Sequence, residues 1–350
     1  MVKHLSIGNH DYRKKLMSSN KKRRPGLQEI AKLVGVSKMT VSRFLRDPKL
    51  VSESLQLQIS SAIDKLGYIP NKAPDMLSNA KSHAIGVVFP SLTNQVFADI
   101  LKGIEMVSDV QGYQTMITHT GYNADKEELR VRSLLSYNID GLILTERIHN
   151  PATLKMIEIS GVPVVEIMDS VSPCIDMAVG FDNFTATKNM IHRMINKGRR
   201  HIVYFSARQD QRSIIRQQGY EKAMQEAGLT PKTLATKEAS SYDLGARFLH
   251  QILKEYPCVD GIFSTNDDLA LGVLLECQRI GIEIPKQIAI VGFHGHKIGQ
   301  YMNPKLASIH TPRIEMGKIA TELLLKRING ENIAEKVIDL PVEYLDGESL

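Results

Sequence analysis

In the stretch VSKMTVSRFLRDP (residues 36–48), Lys38, Met39, Ser42 and Arg43 fall on the polar side of a helix. Val41, Phe44 and Leu45 mark its apolar side at 3–4 spacing. These side chains can read a nucleic acid. Lys or Arg donates to guanine O6 and N7, Met packs on a thymine methyl, and Thr40 or Ser42 reaches phosphates and base edges. A solvated amphipathic helix with a basic face would carry the same residues, so the neighbours must decide. A second set of chemically able residues follows apolar segments farther along the chain: Ser91, Asn94 and Phe97; Glu146, Arg147 and His149; and Arg216, Asn266, Asp267 and His294. Such residues bind ligands when they sit at the carboxyl ends of parallel strands.

The elements around the first set are short helices. Leu27, Ile30, Ala31 and Val34 repeat at helical spacing, and Gly35 suits a left-handed helix end. Ser37 offers an N-cap for the next helix, and Asp47–Pro48 breaks it. Ser52 offers a cap for a third, with Leu55, Ile59, Ala62, Ile63 and Leu66 facing inward before Gly67. Two helices joined by a tight Gly-containing turn, followed by a third, form a helix-turn-helix pattern; a generic three-helix bundle is the alternative.

From Ile85 the pattern changes to apolar strands alternating with amphipathic helices: AIGVVFP, GYQTMIT, IDGLILT and VPVVEIM. The series then restarts, with RHIVYFS matching AIGVVFP and VDGIFST matching IDGLILT at an offset of 120 residues. This order predicts two doubly wound parallel-sheet lobes with a ligand cleft at their strand ends. Asp267 reads as the cap of a helix starting near Leu269, and Asn266 as a ligand contact.

Composition bounds the rest. The 350 residues, 43% of them hydrophobic, suffice for two or three packed domains. Residues 1–80 hold 15 Lys and Arg against 6 Asp and Glu, leaving 29 against 32 for the remainder, so a polyanion partner is expected for the head alone. Part of the excess lies in RKKLMSSNKKRR (13–24), within a basic extension over 1–24 that is read as irregular and precedes the helix-turn-helix region at 25–70; Met17 is an alternative start. Three separated cysteines without metal spacing read as reduced thiols. No run of 18 apolar residues and no signal-peptide pattern is present, so a cytoplasmic protein without membrane contact is expected. No dinucleotide glycine fingerprint, phosphate loop, nucleophile elbow or HExxH helix occurs, which argues for binding without a cofactor and against an enzyme. A metal at His294 and His296 lacks a third ligand nearby in sequence.

The run LQEIAKLVGVSKMTVSRFLRDPKLVSESLQLQISSAIDKLGYIPN resembles the DNA-binding head of the lac-repressor (LacI/GalR) family, nearly continuously over 27–77. The resemblance implies that Lys38 and Met39 choose the operator sequence and that Thr40, Ser42 and Arg43 dock the helix. Asn71 ends the LGYxPN signature, and Arg46 stands where the family usually has Asn. Residues 71–83 then correspond to a hinge helix whose Leu77 wedges into the minor groove, with Pro74 in its first turn. The body, 84–350, is similar to the family's periplasmic-binding-protein-like effector domain. That similarity implies chain crossings near Phe181, Thr311 and Lys326–Gly330. Lobe 1 would comprise about 84–181 and 312–328, and lobe 2 about 182–311 and 329–350. Effector contacts are expected from Ser91, Asn94, Phe97, Arg147, Arg216, Asn266 and His294.

Where the family commonly reads GYDD or GFDD, this chain reads GFHGH (292–296), exchanging an acceptor for a neutral or cationic donor. That change suits a carboxylate-bearing ligand. VSKMTVSRFLR, IPNKAPDMLSNA, PSLTNQVF, NIDGLILTER and GFHGHKIGQ are moreover similar to regulators of gluconate utilisation. The expected protein is a homodimeric repressor that grips a palindromic operator and responds to a sugar acid such as gluconate, a ketogluconate or idonate. No long heptad run follows Leu345, which favours a dimer over a coiled-coil tetramer. The rival readings are another effector or a co-repressor, a periplasmic-type binding protein, and a sugar-acid enzyme.

Overall fold

A computed structural model describes residues 25–70, 81–171 and 173–350. The expected DNA contacts Asn71 and Leu77, with Pro74 and the basic extension, lie outside the described residues. The chain divides into two compact units, residues 1–80 and 81–350.

The first unit holds α1 (Leu27–Val34), α2 (Lys38–Arg46), a short 3₁₀ turn and α3 (Glu53–Leu66). Gly35 takes φ 79° and closes α1 with its N–H on the Ala31 carbonyl. A side chain there would strain the turn. Ser37 caps α2 by accepting from the Thr40 N–H at 3.1 Å. Ser52 occupies the cap position of α3 without a side-chain bond to the helix, a departure from the expected cap. Ile30, Ala31, Val41, Phe44, Ile59 and Ala62 form the core, one face from each helix.

The second unit contains two six-stranded sheets. Its elements run β1 (Ala84–Phe89), α4 (Gln95–Ser108), β2 (Gln114–His119), α5 (Ala124–Ser136), β3 (Gly141–Leu144), α6 (Pro151–Ser160), β4 (Val164–Ile167) and β5 (Met177–Gly180). There follow α7 (Asn183–Asn196), β6 (Ile202–Ser206), α8 (Gln211–Glu226), β7 (Lys232–Ala235), α9 (Tyr242–Glu255), β8 (Gly261–Ser264), α10 (Asp267–Ile280) and β9 (Ala289–His294). The chain closes with β10 (Ala307–His310), α11 (Arg313–Ile328), β11 (Val337–Asp339) and β12 (Glu343–Leu345). The sheet orders are β11-β5-β4-β3-β1-β2 and β12-β10-β9-β8-β6-β7. All pairings are parallel except β10 with β12. Strands β1, β3, β4, β5, β6, β8 and β9 are buried along their whole length, as strands covered by helices on both faces must be. The order reverses between β1 and β3 and again between β6 and β8, which opens a crevice at those carboxyl ends.

The internal repeat extends to single atoms. Asp140, just before β3, accepts from the backbone N–H groups of Ser82 and His83, each at 2.8 Å. Asp260, 120 residues later and just before β8, accepts from Arg200 and His201 at 2.8 and 2.9 Å. Each carboxylate thus ties the start of one strand to the approach to its neighbour. Ser82 and His83, expected in the hinge, are thereby held to the body by Asp140.

The chain crosses between lobes at Phe181–Asp182 and Thr311–Pro312. The third crossing differs from expectation. Val337–Asp339 pairs with β5 of the first sheet, so the crossing falls at 340–342 rather than at Lys326–Gly330. The edge of the first sheet beside β5 is filled by this returning strand before the chain reaches β12.

Helices α4 and α11 cross closely in lobe 1. A Cβ on Gly103 would stand 2.0 Å from the Ile314 carbonyl oxygen, and one on Gly317 would stand 2.2 Å from that of Ile100. Backbone faces backbone here, so no side chain can turn aside. Gly103→Ala is expected to destabilise the body by about 1–3 kcal/mol, as overpacked cores do. Urea unfolding followed by circular dichroism measures the loss; an unchanged midpoint would contradict this crossing.

Candidate functional site

At 100° per residue, Lys38, Met39, Ser42, Arg43 and Arg46 share one arc of about 140° on α2, away from the buried Val41 and Phe44. Lys38, Met39, Arg43 and Arg46 are exposed, and Met39 is 70% exposed although apolar. Ser42 and Thr40 are half-buried. Thr40 lies off this arc, with its hydroxyl 2.9 Å from that of Ser37, in the cap. The structure therefore presents a cationic face with one thioether, which can donate to phosphates and guanine edges while its reverse anchors the bundle.

In the body, the ends of β1, β2, β4, β6, β8 and β9 converge on one cleft. Asn94, Phe97, Tyr122 and Met168 line it from lobe 1; Arg208, Asp210, Arg212, Arg216, Thr265, Asn266 and His294 line it from lobe 2. Arg216 is 4% exposed. Its Nε donates to Asn183 Oδ1 at 2.9 Å and its Nη1 to the Thr265 carbonyl at 2.8 Å. The guanidinium lies 3.7 Å over the Phe293 ring. Burial draws its pKa down to about 10, so it remains a cation at neutral pH among uncharged immediate partners.

Of the neutral and cationic forms that GFHGH allows, His294 takes the neutral one. Burial, with Arg216 and Arg313 nearby, holds its imidazole well below the usual range, so it is neutral. Nε2 stands 3.4 Å from Arg216 Nη1, which can only donate; Nε2 is therefore the acceptor, and Nδ1 carries the proton toward Thr311 Oγ1 at 3.3 Å. Of these two side chains only Arg216 carries a charge. His294 also has φ 101°, a region that non-glycine residues rarely occupy. The Arg313 guanidinium bonds its carbonyl, while Arg313 Nε donates to Asp99 Oδ2 at 2.9 Å.

The roles expected of Asn266 and Asp267 are also divided differently. Asn266 is the cap of α10, accepting from the Leu269 N–H at 3.2 Å and from the Ser240 hydroxyl at 2.6 Å, while still lining the cleft. Asp267 is fully buried and accepts from Ser308 Oγ at 2.7 Å and from the His296 N–H, fixing the turn after β9. Burial pushes its carboxyl up to about 7. His296, buried beside it, is pushed down to about 4. Among the described residues no group of three or more His, Cys, Asp and Glu side chains could hold a metal ion.

Asn94 and Phe97 reach the cleft. Asn94 also caps α4 through Val96 N–H at 3.0 Å, and Phe97 packs on Phe89 with ring centroids 5.5 Å apart. Ser91 and Arg147 are not among the lining residues. Ser91 closes its own turn, accepting from Thr93 N–H at 3.2 Å. Arg147 is buried in lobe 1 with its Nε 3.8 Å from Glu166 Oε1. There His149 bridges Glu127 at 2.5 Å and Glu166 at 3.3 Å. The lining residues missed from sequence were Val96, Tyr122, Met168, Ala207, Arg208, Asp210, Arg212, Ser213 and Thr265. The strand-end rule, applied after β2, β4, β6 and β8, points to most of them, and Arg212 lies one helical turn before Arg216.

The buried His149 yields a pH prediction. Burial opposes its charge, but the hydrogen bonds it donates to the Glu127 and Glu166 carboxylates outweigh that and raise its pKa from 6.5 to about 9. A folded-state pKa above the unfolded one stabilises fully below about pH 6.5, and the contribution is lost as pH rises through about 9. Denaturation midpoints between pH 6 and 10 should therefore fall on the alkaline side. Glu127→Gln should lower the midpoint at neutral pH and flatten that dependence.

Comparison with known proteins agrees with this geometry. Residues 26–71 match the bacterial regulatory proteins of the lacI family, and 191–350 match the periplasmic binding protein-like domain. The HTH-type transcriptional regulator GntR of Escherichia coli is 58% identical over 330 residues, covering 94% of this chain and 100% of that protein. The HTH-type transcriptional regulator IdnR of Escherichia coli is 44% identical, covering 93% and 99%. A LacI-family transcriptional regulator from Silicibacter pomeroyi has a solved structure that superposes with a TM-score of 0.88 at 31% identity, covering 93% of this chain and 99% of that one. With an exposed basic recognition helix, a two-lobed cleft and relatives that are transcriptional regulators rather than enzymes, the chain belongs to the lacI family of DNA-binding transcriptional regulators.

Proposed function

We propose that this regulator is a cytoplasmic repressor of sugar-acid catabolism genes. It binds a two-fold symmetric operator as a homodimer and releases it when a sugar acid such as gluconate occupies the cleft. The observation that carries the effector class is charge. Three guanidinium groups, from Arg208, Arg212 and Arg216, line the cleft, against the carboxylates of Asp210 and, beside Arg212, Glu146. A neutral sugar leaves that excess uncompensated in a partly desolvated site, whereas a carboxylate meets it with charge-assisted hydrogen bonds. The hydroxyls of a sugar acid find neutral partners in Asn94, Asn266 and His294.

On the DNA side, Lys38 and Met39 read base identity, with Thr40, Ser42 and Arg43 docking the helix. Asn71 and Leu77 add the hinge contacts that the family resemblance implies. Two copies present two α2 helices, so the half-sites must be related by a two-fold axis. The effector moves the equilibrium only by the difference in its affinity for the two arrangements.

A mobility-shift assay on a palindromic upstream fragment tests the reading. Retardation that weakens with salt and is reversed by gluconate but not by glucose supports it. Turnover of the sugar acid without DNA binding would instead support an enzyme. Exchanging Lys38 and Met39 for other residues should move preference to a different operator, at about 1–3 kcal/mol per lost base contact, while calorimetric gluconate binding is unchanged. Uniform weakening on every sequence would reduce α2 to a phosphate clamp.

A further inference from the structure

Arg212 crosses the cleft. From α8 in lobe 2 its Nη1 donates to the Thr145 carbonyl at 2.8 Å and its Nη2 to Glu146 Oε1 at 2.9 Å, both at the end of β3 in lobe 1. One turn later on the same helix, Arg216 is satisfied by neutral groups of its own side of the cleft and by the Phe293 ring. The two arginines therefore differ in kind. Arg216 is a fixed wall; Arg212 is half of an ion pair whose other half belongs to the opposite lobe.

The two partners of Arg212 differ too. Thr145 is buried and held by its own hydroxyl on the Val88 carbonyl at 2.7 Å, so its carbonyl is a fixed acceptor. Glu146 follows the strand, and its side chain is 22% exposed against 7% for Arg212. A carboxylate that leaves Arg212 can enter water; the guanidinium cannot. Asp210, which caps α8 through Ser213 N–H at 2.8 Å, stays behind Arg212 whatever stands in front.

We propose that Arg212 is the carboxylate reader of the cleft and that Glu146 is its exchangeable stand-in: a ligand carboxylate takes the guanidinium and sends Glu146 to solvent. This rests on the sugar-acid reading and adds the residue that enforces it. Exchange of one carboxylate for another keeps the buried guanidinium paired. A neutral polyol offers only hydroxyls, so displacing Glu146 would remove the one carboxylate hydrogen-bonded to a guanidinium whose side chain is 7% exposed, leaving it only Asp210 behind. The pair thus admits anionic ligands and rejects neutral ones of the same shape, and it joins the lobes until such a ligand arrives.

Titration calorimetry of the full chain with gluconate and with glucitol, its neutral counterpart, tests the exchange. The unaltered chain should bind gluconate and not glucitol. Arg212→Gln should lose gluconate affinity by about tenfold or more, as removal of a charge-assisted hydrogen bond does, and Arg212→Lys should recover part of it. Glu146→Gln, a mild change on a partly exposed side chain, should raise gluconate affinity because the competing anion is gone. A gluconate-selective unaltered chain whose Glu146→Gln variant binds no better, or worse, overturns the exchange while leaving the sugar-acid reading intact. Equal binding of gluconate and glucitol by the unaltered chain overturns both. If Arg212→Gln does not fold, the affinity of Glu146→Gln for gluconate is enough to support or overturn the exchange.

Discussion

The buried guanidinium of Arg216 is the interaction on which the body's geometry turns. A cation in that environment is tolerable only when its donors are met and its face is covered. The groups that do so come from four places in the chain: Asn183 just after the first crossing, Thr265 at the end of β8, Phe293 within β9 and His294 at its tip. Satisfying one side chain therefore fixes the spacing of two strand ends and a crossover. The left-handed backbone of His294 belongs to the same arrangement. Its carbonyl is drawn to Arg313, which reaches back to Asp99 on α4 and so ties the tip of the second sheet to the first lobe.

Around that centre the lobes are joined by polar contacts more than by apolar ones at the cleft itself. Arg212 pairs with Glu146, and the Arg208 guanidinium lies 4.8 Å over the Tyr122 ring. Ion pairs of this kind have two nearly equivalent settings when a second anion is available, whereas a packed apolar face has one. The apolar core runs instead through the crossover region, where Phe181 and Phe293 pack with centroids 6.1 Å apart. Charged contacts thus join the lobes at the mouth of the cleft, and apolar packing joins them behind it.

Much of this was legible in the residues. Helical spacing, with Gly35 and Ser37, located the turn and the exposed side of α2. The repeat at 120 residues located both sheets, and its physical content is the paired roles of Asp140 and Asp260. Arg216 and Asn94 were found by their places after strands. The departures share one cause. Arg147 and His149 follow β3 just as Glu146 does, yet they turn into a carboxylate cluster from α5 and β4 that no local rule announces. Asn266 and Asp267 are both capable of capping; Ser308 and the turn at His296, distant in sequence, claim the aspartate.

The sequence by itself determined the elements, their order and the basic exposed face of the head, because helix periodicity, strand alternation and capping act over a few residues. It also determined that a cleft must lie at the strand ends, since parallel topology leaves no other place. Only the tertiary structure decided which charges meet in that cleft. His294 is neutral because burial and two guanidinium groups disfavour its proton, and Arg212 meets a carboxylate that comes from the other lobe. Electrostatic energies depend on distance and desolvation, and both are set by contacts between residues far apart in the chain.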